Sequence, residues 1–67
     1  MNRHEEIQKE IISKVKLNRG TIRRNLLIGV LSRSYTNQEI AEAFWVLQGE
    51  GIIREDALDI RLLPTHV

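Results

Sequence analysis

Every charged side chain between Lys14 and Arg33 is positive, and there are six: Lys14, Lys16, Arg19, Arg23, Arg24 and Arg33. A concentrated basic surface of this kind is what binding to a polyanion requires. The same six charges would also serve as the solvated face of two helices. The rest of the chain is divided just as unevenly. Residues 1–33 hold eight basic and three acidic side chains, 34–53 hold three acidic and no basic ones, and 54–67 hold two basic and three acidic. A formal net charge of +1 conceals this division.

Bond-making chemistry finds few candidates. The two histidines, His4 and His66, sit near opposite ends and read as solvated terminal residues. No Ser/His/Asp arrangement, paired acid in an apolar pocket, Gly-rich phosphate loop or His/Cys ligand spacing is present. There is no cysteine, so no disulfide framework or zinc-thiolate site supports the fold, and nothing argues for an oxidising compartment. These features predict a protein that is not an enzyme and has no cofactor and no metal site. With no apolar run of membrane-spanning length and a charged Met1–Glu10 segment, they also predict no membrane association and a cytoplasmic location.

Three periodic segments must position the charges. Asn2, with Glu5 three residues on, can cap a first helix over about 3–16, with Ile7, Ile11, Ile12 and Val15 as its buried stripe. Leu17-Asn18-Arg19-Gly20 then breaks it. A second helix is predicted over 21–32, with Ile22, Leu26, Leu27, Val30 and Leu31 at helical spacing. Thr36 and Glu39 form a capping box at the head of a third helix over 37–48, where Tyr35 can staple onto Ile40. Ile40, Ala43, Phe44 and Leu47 stack on one face of that helix, and Gly49 or Gly51 can supply its left-handed cap.

Beyond the glycines, Ile52 and Ile53 open an extended segment, Glu55-Asp56-Ala57 form a polar turn, and Leu58, Ile60 and Leu62 alternate with Asp59 and Arg61. That is the period-two pattern of a half-buried strand, and a two-stranded hairpin from Ile52 to Leu63 is expected. Two strands alone are marginal, so the hairpin must lay its apolar face on the helices. The resulting core comprises Ile7, Ile11, Val15, Leu27, Leu31, Ile40, Phe44, Leu47, Ile53, Ile60 and Leu62. At 67 residues the chain reads as one small domain over 1–67, mainly α with a small β-hairpin.

The order Ile40, Ala43-Phe44, Leu47, Gly51-Ile52-Ile53 resembles the third helix and first wing strand of winged helix-turn-helix domains, and the likeness extends over residues 5–63. The resemblance implies a three-helix winged helix-turn-helix fold and a third helix entering the major groove of DNA. Its N-terminal residues would face the base edges: Asn37, Gln38, Ala41 and Glu42, with Trp45 one turn on. Asn37 and Gln38 have amides able to bond adenine bidentately, or they are ordinary solvated first-turn residues. The third helix holds Glu39, Glu42 and Glu50 and no base, the wing tip Glu55-Asp56 is acidic, and the turn from Leu31 to Ile40 is about two residues longer than the family's tight turn. Phosphate contacts would then fall to Arg19, Arg23, Arg24 and Arg33.

Trp45 and Val46 lie off the buried stripe and admit two readings. They pack under the wing against Leu58 or Leu63, or they form an exposed apolar patch that anchors a protein interface. Two functions follow. One is a small DNA-binding transcription regulator, dimeric so that symmetric half-sites multiply its few contacts. The other is a protein-binding winged-helix module that acts through the third-helix face on a transcription, replication or host partner without binding DNA.

Overall fold

The structure, a computed structural model, describes residues 2–64. Its elements run α1 (Arg3–Leu17), β1 (Thr21–Arg23), α2 (Arg24–Leu31), α3 (Asn37–Gly49), β2 (Ile53–Asp56) and β3 (Asp59–Leu62). Three helices thus pack with a small antiparallel sheet of strand order β1-β3-β2, an arrangement compatible with a winged-helix fold. Among the described residues, no helix is long and apolar enough to cross a membrane.

Helix ends follow the local chemistry of the chain. The Asn2 side chain accepts a 2.8 Å hydrogen bond from the Glu5 N–H and opens α1. At α3 the capping box is complete: Thr36 Oγ1 accepts from the Glu39 N–H at 3.1 Å, and Glu39 Oε1 accepts from the Thr36 N–H at 2.9 Å. The far end of α3 closes as a Schellman motif, in which the Ile52 N–H reaches the Leu47 carbonyl at 2.9 Å and the Gly51 N–H reaches that of Gln48 at 3.0 Å. Gly51, at φ +74°, supplies the left-handed residue that this motif needs.

The same motif ends α1 with a different residue in the strained place. The Gly20 N–H bonds the Val15 carbonyl at 2.8 Å and the Arg19 N–H that of Lys16 at 3.1 Å, so Arg19, at φ +63°, stands where glycine is cheapest. Gly20 follows at φ +86°. Two successive left-handed residues turn the chain sharply back over α1, and this reversal overturns the predicted start of the second helix. Thr21–Arg23 is a strand, and α2 begins only at Arg24.

The predicted two-stranded hairpin is therefore the larger part of a three-stranded sheet. β2 pairs with β3 from Ile53↔Leu62 to Asp56↔Asp59, and β1 pairs with the other edge of β3 from Thr21↔Arg61 to Arg23↔Asp59. β3 would otherwise leave a row of backbone donors and acceptors unpaired, which is the reason a three-residue segment is recruited to it. The Arg24 N–H extends this ladder by donating to the Leu58 carbonyl at 2.8 Å, which ties the turn of the hairpin to the first residue of α2.

One apolar cluster joins all six elements. Ile7, Ile11, Val15, Leu27, Leu31, Ile40, Phe44, Leu47, Ile53 and Ile60 are buried as the sequence pattern predicts, and Ile22, Tyr35 and Ala43 join them. Leu62 is only half-buried at the margin. Leu26 and Val30, expected in the stripe of the second helix, are exposed instead. With α2 shortened to eight residues, Leu27 and Leu31 are its buried residues and Ile28 packs at the core margin, while Ile22 reaches the core from the sheet beside Ile60.

Candidate nucleic-acid interface

One face of α3 exposes Asn37, Gln38, Ala41, Glu42 and Trp45, while Ile40, Ala43, Phe44 and Leu47 are held in the core. Helical spacing explains the separation, since residues three and four apart share a side. Within the exposed set, Gln38 Nε2 lies 3.5 Å from Glu42 Oε1, a long contact one helical turn apart that draws one predicted base-reading amide toward the carboxylate.

Arg24 belongs to the same surface. Arg24 and Ile28 of α2 line one depression with Asn37, Ile40, Ala41 and Phe44 of α3, so a predicted phosphate contact stands beside two predicted base-facing residues. The Nε of Arg24 is buried and lies 3.5 Å from Glu55 Oε1, yet it makes no hydrogen bond. Glu55 thus offsets the charge without satisfying this donor. A buried donor without a hydrogen bond is costly, and a small approach of the Glu55 carboxylate would satisfy it.

The remaining predicted phosphate contacts are more dispersed. Arg23 Nε is 3.7 Å from Asp59 Oδ1 on the outer face of the sheet. Arg33 is exposed in the turn between α2 and α3, and Arg19 is exposed at the end of α1; neither has an ion pair among the described residues. The sheet adds a basic row that no sequence spacing reveals, because Arg54 and Arg61 face each other across β2 and β3. Like charges directly opposite are unfavourable, and Asp56 Oδ2, 3.5 Å from Arg61, offsets the pair.

Acidity at the head of α3 is smaller than the sequence implies. Arg3 of α1 reaches across to Glu39 with both Nε and Nη2, donates from Nη2 to the Ser34 carbonyl at 2.6 Å, and lies 4.9 Å from the centre of the Tyr35 ring. Hydrogen bonds from Arg3, then from the Thr36 backbone, hold the Glu39 carboxyl at about 2, well below its ordinary value, and Glu39 in turn raises the Arg3 guanidinium. Burial, and then the Glu10 and Glu6 carboxylates, keep the Tyr35 phenol above its ordinary range, so the ring under Arg3 stays neutral. Of the three glutamates on and after α3, Glu39 is consumed by this knot, and Glu50 stands at the far C-cap. Sequence reasoning did not single out Arg3, because its partner is 36 residues away and only packing brings α1 against α3.

The lowered Glu39 carboxyl makes a signed prediction. Unfolded, this group protonates near 4.5; folded, near 2. Its contribution to stability is therefore present above about pH 4.5 and lost as pH falls toward 2. Glu39→Gln should melt lower than the native protein at neutral pH and converge with it near pH 2. Melting temperatures of the two proteins across that range, still separated at the acid end, would contradict the assignment.

Trp45 is 77% exposed, so the packing under the wing that was one of its two readings does not occur. Its proposed wing partner Leu58 is itself 61% exposed, because the turn is tied back to α2 instead of reaching over α3. Trp45 and the half-buried Val46 border a shallow depression with Gln48 and Gly49. Of the two histidines, His4 is exposed on α1, and His66 lies outside the described residues.

No protein-family model, curated protein or solved structure matches this chain. Its functional reading therefore rests on this surface alone.

Proposed function

We propose that this chain is a small winged-helix transcription regulator that binds duplex DNA through the N-terminal half of α3 and the head of α2. The observation that carries this reading is the depression that Arg24 lines together with Asn37 and Ala41. Phosphate contacts fix register and base-edge contacts supply sequence, so a phosphate donor adjoining exposed side chains at the start of a helix is the minimum such a reader needs. Arg3 supports it by neutralising Glu39 at the same helix end. Arg19 supports it too, since an exposed cation occupies a backbone position where glycine would cost less.

The test is fluorescence-anisotropy titration of the protein into a labelled random-sequence duplex at several salt concentrations. Binding whose logarithm falls linearly with log salt, at a slope of roughly −0.9 per phosphate contact, is the expected result. Binding that is absent at low salt, or insensitive to salt, would sink the DNA reading.

One observation favours a second reading. A 77% exposed tryptophan flanked by Glu42 and Gln48 has the composition of an interface anchor for another protein. Under that reading the chain is a protein-binding winged-helix module, and no duplex titrates it at any salt concentration.

A further inference from the structure

The outer side of α1 has a pattern that the DNA reading leaves unused. Glu5, Lys9, Ile12 and Lys16 follow one another at intervals of four, three and four residues, which places them on one stripe of the helix. Ile12, Lys9 and Lys16 border a shallow depression with Ser13 and Leu17, and Leu17 is 81% exposed. Ile12 and Lys16 also line a larger, mainly apolar groove with Ile52, Leu62, Leu63 and the carboxylate-bearing Glu50. Neither Glu5 nor Lys16 has an ion pair among the described residues.

We propose that this stripe and the groove beside it bind a second copy of the chain, with the two α1 helices antiparallel. Charge complementarity selects that occupant. A two-fold axis midway between Lys9 and Ile12 sets Glu5 opposite the partner's Lys16, and by symmetry Lys16 opposite the partner's Glu5. The same axis lays the aliphatic stem of Lys9 over the partner's Ile12, where the stem covers apolar surface while its ammonium stays in water. A parallel pair would instead oppose Glu5 to Glu5 and Lys16 to Lys16, so the antiparallel register is the favourable one. The contact is self-complementary and closes at two copies, and the apolar groove flanking Ile12 widens it beyond a single helix pair. It shares no residue with the Arg24, Asn37 and Ala41 surface and does not depend on DNA binding.

Sedimentation equilibrium of the full chain without DNA, over a concentration series, tests it. The native protein should dimerise. Lys16→Glu, and separately Glu5→Lys, should each weaken the dimer at least about tenfold by setting two like-charged pairs in contact. The double variant Glu5→Lys with Lys16→Glu should return it to within a few-fold of native, and Trp45→Ala should leave it intact. Circular dichroism confirms that each variant is folded. A native protein that stays monomeric throughout, single variants that dimerise as well as native, a double variant without rescue, or a dimer lost only with Trp45→Ala would each overturn the proposal.

Discussion

Phe44→Ala should unfold much of the protein, whereas Trp45→Ala, one residue further along the same helix, should leave its melting temperature nearly unchanged. Phe44 is buried in the apolar core, and Trp45 stands in solvent. Truncating a buried phenylalanine costs roughly 3–5 kcal/mol, from lost transfer energy and from the cavity left behind. Total stability at typical values per residue is only about 3–10 kcal/mol for a chain of this length. The loss is thus a large part of the whole.

Trp45→Ala removes an exposed side chain, and such changes fall within about 0.5 kcal/mol of neutral. In a domain this small, each 1 kcal/mol shifts the melting temperature by roughly 4–8 °C, so the two variants separate clearly in a thermal scan. A Trp45→Ala protein that melts many degrees low would restore the buried reading of this residue. If it melts normally but loses a protein partner, the protein-binding reading gains, because an anchoring tryptophan commonly accounts for about 2 kcal/mol or more of binding.

Arg23→Ala combined with Arg24→Ala should weaken duplex binding across all sequences and lower the salt slope by about 1 for each phosphate contact removed. Both arginines are ion-paired, to Asp59 and to Glu55, but at 3.7 and 3.5 Å and with side chains that remain partly exposed. Exposed pairs of this kind are worth roughly 0–1 kcal/mol, so a phosphate can compete for the cation and the variant should still fold. Arg24→Ala alone should account for the larger share, since Arg24 adjoins Asn37 and Ala41 while Arg23 lies on the sheet face. An unchanged slope in a correctly folded double variant would reject these residues as phosphate contacts. An equal loss from Arg23→Ala would shift the contact surface onto the sheet.

What the sequence determined by itself was local. Asn2, Thr36 and Glu39 announced two helix starts, because a cap bonds a backbone N–H only three residues away. Gly49 and Gly51 marked the end of α3, with the structure giving the left-handed place to Gly51, and the three- and four-residue spacing of Ile7, Ile11, Val15, Ile40, Phe44 and Leu47 identified the buried faces. The alternation of Ile60 and Leu62 with Asp59 and Arg61 located β3, but the predicted turn was misplaced: Glu55 and Asp56 belong to β2, and Ala57 and the exposed Leu58 make the turn.

Tertiary structure decided whatever depended on a distant partner. Thr21–Arg23 is too short to show a period of its own, and Ile22 fits a helical stripe with Leu26 as well as it fits a strand; pairing with the free edge of β3 made it β1. The Arg3–Glu39 knot joins residues far apart in sequence, and the facing of Arg54 by Arg61 exists only in the sheet register. Trp45 could not be resolved from spacing either, because a residue off the core stripe is covered or bare according to where the hairpin turn goes. The bond from the Arg24 N–H to the Leu58 carbonyl takes that turn to α2 and leaves Trp45 in solvent.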